Sequence, residues 1–322
     1  MTLTNMNQYY KDMEGINILN LKKIGLVAVT GFAAVTLAAC GKDGANSDIV
    51  TMKGDTIRVS DLYKEAKEYP STGTATLLQN MTFNKIFEKE FGKKVSDKAV
   101  NAEFDAQKTS LGSNFAAALQ QAGYTESSYK TSIRSQLLLK EVVTSKIKFT
   151  DAEYKAAFEA YHPTVEAYVL SETSEDAAKK LVEDAKNDAA AFDKTAQDKK
   201  SEMKFDSSNT QIPDEVKTAA FKLKDGEAST EPIKVSNPQT GAASFYVVKM
   251  IKNADKGTDW KKYKKELKTI ITTNKQNDAT FVNGIIASYL KDYNVKVKPK
   301  EFSNIFSSYE AAVTSSSSSK SK

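Results

Sequence analysis

The chain has 322 residues, 40% of them hydrophobic, with 46 Lys and Arg against 41 Asp and Glu and a formal net charge of +5. That length and apolar content support about two modest cores, and the small, evenly spread charge argues against a nucleic-acid partner. A single cysteine and a single histidine exclude intramolecular disulfides, thiolate zinc cages and paired-histidine metal sites, so no metal or other cofactor is expected.

Near the N-terminus, Lys22-Lys23 precede an apolar run from Ile24 to Ala39 that ends Leu37-Ala38-Ala39-Cys40-Gly41. Positive charge, a short apolar stretch and small residues are the layout of a signal peptide. The run falls short of the roughly 20 residues a spanning helix needs. Its ending resembles the lipobox of bacterial lipoproteins, which implies cleavage before Cys40, diacylglycerol on its sulfur and a membrane tether on the extracytoplasmic face of a Gram-positive-type cell. The mixed-charge segment Met1 to Leu21 is long for such a leader, and the true start is expected further downstream.

After a linker, Ile49 to Val59 reads as two short strands around Gly54-Asp55. Helical spacing follows: Phe83, Ile86, Phe87 and Phe91, then Val100 and Phe104, then Tyr129, Ile133 and Leu137. Gly92 and Gly123 punctuate these stripes. Thr150-Asp151-Ala152-Glu153 is a capping box that starts a new helix near Asp151.

At His162-Pro163 the pattern changes, and Thr164 to Leu170 reads as a strand. A helix is expected from about Ser174 to Asp188 and a short one around Phe192, followed by an uninformative polar stretch from Asp198 to Thr210. Asp214 to Lys222 reads as a short helix, Asp225-Gly226 as a turn and Ser244 to Met250 as a strand. Beyond Gly257, Trp260, Tyr263, Leu267 and Ile270 form an amphipathic stripe backed by lysines. Phe281, Ile285 and Tyr289 mark a last helix, Val295 and Val297 a short edge strand, and the Ser/Lys tail a disordered end. Phe83, Phe87, Trp260 and Tyr263 read as core, although an exposed aromatic stripe would look the same.

These elements predict an α+β fold: a discontinuous, mostly helical domain made by the two flanks, with a small α+β domain inserted between them. The expected boundaries are a leader at 1–39, a lipidated linker at 40–47, a helical segment at 48–161, the insert at 162–253, a helical return at 254–310 and a tail at 311–322.

No P-loop or dinucleotide glycine pattern is present. His162, at a helix-to-strand junction, reads as a solvated linker residue, with a catalytic base as the alternative.

Ala219-Ala220-Phe221-Lys222-Leu223-Lys224-Asp225-Gly226-Glu227-Ala228-Ser229, followed by Glu231-Pro232-Ile233, resembles the parvulin stretch A-A-F-x-L-x-x-G-E-x-S with its P-[VI] sequel. With the lipobox and the helical flanks, the chain resembles the PrsA-type foldase lipoproteins, which carry a parvulin-like prolyl isomerase domain. That resemblance implies a chaperone that helps secreted polypeptides fold at the membrane surface; a homodimer is left open. It also places Tyr168 and Tyr246 where parvulins carry histidines, and Ile212, Val216 and Phe221 in the substrate pocket, Ile212 and Val216 replacing the usual Met and Phe. Loss of the histidine pair weakens the polar network that favours a twisted prolyl amide, whose ordinary barrier is about 18–20 kcal/mol. Two alternatives stand beside this reading: a fully active isomerase with a tyrosine pocket, and a solute-binding or adhesive lipoprotein. The sequence lacks the long strand-helix alternation that two-lobed solute binders need.

Overall fold

A computed structural model describes residues 44–209, 211–236 and 241–309; the lipobox cysteine Cys40 and the Ser/Lys tail lie outside them. Strands β1 (Asp48–Met52) and β2 (Asp55–Arg58) lead into helices α1 (Val59–Glu68), α2 (Thr74–Phe91), α3 (Asp97–Leu111), α4 (Phe115–Gln121) and α5 (Glu126–Lys146). Next come α6 (Asp151–Ala160), β3 (Val165–Glu172), α7 (Glu175–Asn187), α8 (Ala189–Asp198), β4 (Glu202–Phe205), α9 (Asp214–Ala220), β5 (Ile233–Ser236) and β6 (Ala243–Lys252). The last elements are α10 (Lys264–Asn277), α11 (Ala279–Asp292) and β7 (Lys296–Val297). The α+β class is as expected. Contacts gather these elements into two units, residues 149–273 and residues 44–148 with 274–309. No described helix is long and apolar enough to cross a membrane.

The discontinuous unit is closed by its ends. Gly54, at a φ of +81° that glycine adopts without strain, turns β1 back onto β2, and β7 pairs antiparallel with the other edge of β1 through Val50 and Val297. Leu78, Ile86 and Phe87 of α2, Ile133 and Leu138 of α5, and Ile285 and Leu290 of α11 share one core. Burying each such side chain stabilises the fold by roughly 1.5–3 kcal/mol. Arg134 pins the end of α2 to α5: its guanidinium grips the Glu88 carboxylate and donates to the carbonyls of Gly92 at 3.2 Å and Val95 at 2.8 Å. After β7, residues 299–309 lie against α2, with Phe306 and Tyr309 beside Phe83.

In the other unit β4, β3, β6 and β5 form an antiparallel sheet in that order. Strands β4 and β5 fall in stretches with no strand expectation; both are four-residue edge strands, too short to display a clear alternation. Both faces of the sheet are covered. Helices α7 and α8 place Ala178, Leu181, Phe192 and Ala196 over one face, and α9 with its approach loop places Ile212, Val216 and Ala220 over the other. The Thr150–Glu153 capping box opens α6 as expected. That helix packs through aromatic rings on residues 260–263, Tyr154 lying parallel to Trp260 at 4.9 Å and Phe158 to Tyr263 at 6.0 Å.

Candidate functional site

Side chains of successive strand residues point to opposite faces, so register decides what each sheet face presents. On β3, Tyr168 pairs with Lys249 of β6, whereas Val169 pairs with Val248 and Ser171 with Tyr246. Tyr246 therefore shares its face with Val169, Val248 and Met250, beneath Ile212, Val216 and Phe221. Tyr168 belongs to the face under α7 and α8, with Leu170, Phe192 and Val247. The fold brings together four of the five expected site residues and puts Tyr168 on the far side of the sheet.

On its own face Tyr168 is a core residue, 8% exposed, whose hydroxyl accepts a hydrogen bond from Gln197 Nε2 at 3.1 Å. Its cross-strand partner Lys249 is buried too and pairs with Asp193 at 2.6 Å. Asp193 and Gln197 stand one turn apart on α8, so two polar links fasten that helix to the sheet.

The opposite face is apolar. Ile212 and Val216 are buried, while Tyr246 and Phe221 are partly open. Among the described residues the Tyr246 hydroxyl makes no hydrogen bond. No side chain there forms a nucleophile–base pair, and no described group of His, Cys, Asp and Glu could hold a metal ion. Ile212 and Val216 are core of that face, so what it leaves open are the Phe221 ring and the Tyr246 ring with its hydroxyl.

Ile212 is held by a residue the sequence did not single out. Lys217 of α9 is only 7% exposed; its ammonium donates to the carbonyls of Ser207 at 3.2 Å and of Asn209, and pairs with Asp214 at 2.9 Å. The Asn209 side chain in turn accepts the backbone N–H groups of Gln211 and Ile212. A buried cation thus organises the loop that carries Ile212 over the sheet. The i,i+3 spacing of Asp214 and Lys217 was visible, but a surface pair at that spacing looks identical.

The Ala219–Ser229 stretch is scaffold. Gly226, at φ +82°, lets the chain turn so that its N–H meets Met250 O at 2.9 Å, Met250 N–H meets Glu227 O at 2.8 Å, and Ser229 Oγ accepts from Val248 N–H at 3.2 Å. Asn253 donates to the carbonyls of Leu223 and Phe221. These bonds run a loop along β6 and hold Phe221 in place. His162 is part-buried and stacks on Phe221 at 4.1 Å with the rings nearly parallel, so it supports that ring instead of standing in solvent. Its Nδ1 donates to Pro163 O at 2.9 Å, and its backbone bonds Ser207 in both directions. Beside it lies an open depression of about 540 Å³ lined by His162, Lys224, Asp225, Asn253, Ala254 and Asp255. Its carboxylates cap local backbone: Asp225 accepts from Asn253 N–H and Asp255 from Gly257 N–H.

Comparison with known proteins gives a consistent answer. The chain is 51% identical over 310 residues to the foldase protein PrsA of Lactococcus lactis subsp. lactis, covering 93% of this chain and all of the relative. It is 43% identical to the foldase protein PrsA of Streptococcus gordonii over 93% of this chain and 99% of the relative. The crystal structure of the Lactococcus lactis PrsA foldase superposes with a TM-score of 0.69 at 52% identity, and that of Streptococcus pneumoniae PrsA with 0.63 at 37%; each covers 82% of this chain and 99% of the solved one. No family model matches the chain.

Proposed function

The chain belongs to the PrsA foldase family, and from that premise we propose that it works chiefly by holding incompletely folded polypeptides, with its parvulin-like insert retaining little prolyl isomerase activity. The observation that carries the second half is the apolar face of the insert, where Tyr246 stands beside Ile212, Val216 and Phe221 without a polar partner among the described residues. Isomerisation is accelerated only by interactions stronger in the twisted state than in the planar one. A lone hydroxyl over an apolar surface binds a prolyl segment in both states about equally. Tyr168, across the sheet, acts as a core residue in this reading, and Tyr246 as the single polar contact to a bound chain.

The protein acts on the extracytoplasmic face, tethered through Cys40. Cleavage before that cysteine and acylation of its sulfur would anchor the chain stably, because each buried methylene contributes about 0.8 kcal/mol and two or more acyl chains suffice. The lipobox supports this, and replacing Cys40 by Ser should release the protein from membranes into the medium. The holding function is tested by refolding an aggregation-prone secreted protein beside the soluble chain from Gly41 onward. Suppressed light scattering at near-stoichiometric ratios is the expected result; unchanged scattering would remove the chaperone reading.

A further inference from the structure

Among the described residues Tyr63 is the one large apolar side chain that stands exposed, at 64%, which is little surface for a protein that holds unfolded chains. More apolar surface lies covered on the outer side of α2. There the segment 299–309 crosses the helix with Phe302, Ile305, Phe306 and Tyr309 packed against the core and its polar residues exposed. Phe306 is 5% exposed. Phe83 meets Phe306 at 5.8 Å and Tyr309 edge-on at 5.3 Å, with Phe87 stacked behind it at 6.0 Å. Gln79, one turn before Phe83, donates its side-chain amide to the Ile305 carbonyl.

This strap is held differently from the core it covers. Apart from the Gln79 bond to Ile305 O, its backbone hydrogen bonds from Phe302 onward are local among the described residues, Phe302 to Pro299, Ser303 to Lys300, Ile305 to Phe302, Ser307 to Asn304 and Tyr309 to Phe306. Among the described residues, the last backbone–backbone bond to another element is Lys298 N–H to Ile49 O at 2.8 Å. A segment retained by side chains alone opens at a lower free energy than paired strands or packed helices.

We propose that the Gln79–Phe83 face of α2 is a docking surface for apolar segments of unfolded polypeptides, and that the strap is its resident, displaceable occupant. The strap defines the ligand chemistry, because it is itself a short peptide seated there: Phe-x-x-Ile-Phe-x-x-Tyr, with apolar side chains three and four apart on one side and a carbonyl turned to Gln79. A client segment with the same spacing fills the same seats. Strap closure keeps that surface from water and from other copies of the chain when no client is present. This inference rests on the foldase reading, which supplies such clients.

The test uses the chain from Gly41, which has no cysteine of its own, in three forms. One is unaltered. The second carries Ile305→Ser with Phe306→Ser, which loosens the strap and leaves α2 untouched. The third carries Gln79→Cys with Asn304→Cys and is read before and after a short bismaleimide joins the two cysteines and holds the strap down. The probe is a fluorescein-labelled peptide with the sequence of residues 300–309, followed by anisotropy. A site blocked in all but a minor population binds more weakly by that population fraction, so the loosened form should bind about tenfold or more tightly than the unaltered chain. The tethered form should not bind, and a reduced, carboxymethylated protein should displace the peptide. Equal binding by the double-cysteine form before and after tethering overturns the proposal, as does absent binding by a loosened form whose thermal melt shows it folded. If the loosened form unfolds, the comparison of the double-cysteine form before and after tethering decides. Should none of the forms suppress aggregation, the foldase reading falls, while the peptide measurement still reports on the surface.

Discussion

Lys217 carries its charge where solvent barely reaches, and three oxygen partners make that tolerable. Lys217→Met keeps the volume and leaves two loop carbonyls short of a donor, so unfolding free energy in urea should fall by about 2–3 kcal/mol; a loss below about 0.5 kcal/mol would show the loop to be held otherwise. Tyr293 donates to Glu90, and burial together with that bond pushes its hydroxyl up to about 12. Because the folded value exceeds the unfolded one near 10, its contribution is intact below pH 10 and is lost as pH rises toward 12, the unfolded chain shedding its proton first. Melting temperatures between pH 9 and 12 should therefore fall less steeply in Tyr293→Phe than in the parent. Some slope remains, since burial also raises Tyr69 to about 12; an unchanged slope would contradict the assignment. At this scale the sequence was only partly legible. Tyr168 and Tyr246 were singled out by resemblance alone, and the face each takes depends on the pairing of β3 with β6, a long-range property that no local pattern encodes. Lys217 and Asn253 were missed because their partners are backbone carbonyls brought near only by folding.

Among the elements, those with their own periodicity or caps appeared where the residues indicated. The capping box of α6 and the Gly54 turn between β1 and β2 are local chemistry, readable in a few residues. Strands β4 and β5 were invisible, since each is a short edge strand that exists by pairing with a longer neighbour. The end of α6 illustrates another long-range device. Lys256 donates to the carbonyls of Phe158 at 2.8 Å, Glu159 at 3.0 Å and Tyr161 at 3.1 Å, so one ammonium satisfies the helix's last acceptors and opposes its dipole. Lys256→Met should cost about 1–2 kcal/mol in chemical denaturation. Amide exchange at residues 156–161 should quicken with it; exchange that stays as slow as in the parent would mean that the cap is made by something else. Pro163 signalled a local break in the sequence, whereas the contacts that join Tyr154 to Trp260 span the whole insert and could not be read from either segment alone.

At the scale of the molecule, two α+β units are built from a chain that leaves one core, forms another and returns. The return was expected because each helical flank read as lacking a partner of its own; the N-terminal helices in fact pack on one another as well as on α11, and β7 completes the return by pairing with β1. We propose that the inserted unit is a folded, polypeptide-binding domain with little of the polarity that prolyl isomerisation needs. The most direct measurement is cis-to-trans exchange in a short proline peptide, followed by magnetisation transfer, with the parent chain from Gly41 and its Tyr168→Phe and Tyr246→Phe variants. Little acceleration is expected from any of the three, alongside peptide binding that Tyr246→Phe weakens and Tyr168→Phe leaves unchanged. Exchange accelerated strongly by the parent and abolished in Tyr246→Phe would overturn this reading and establish an active isomerase that depends on Tyr246.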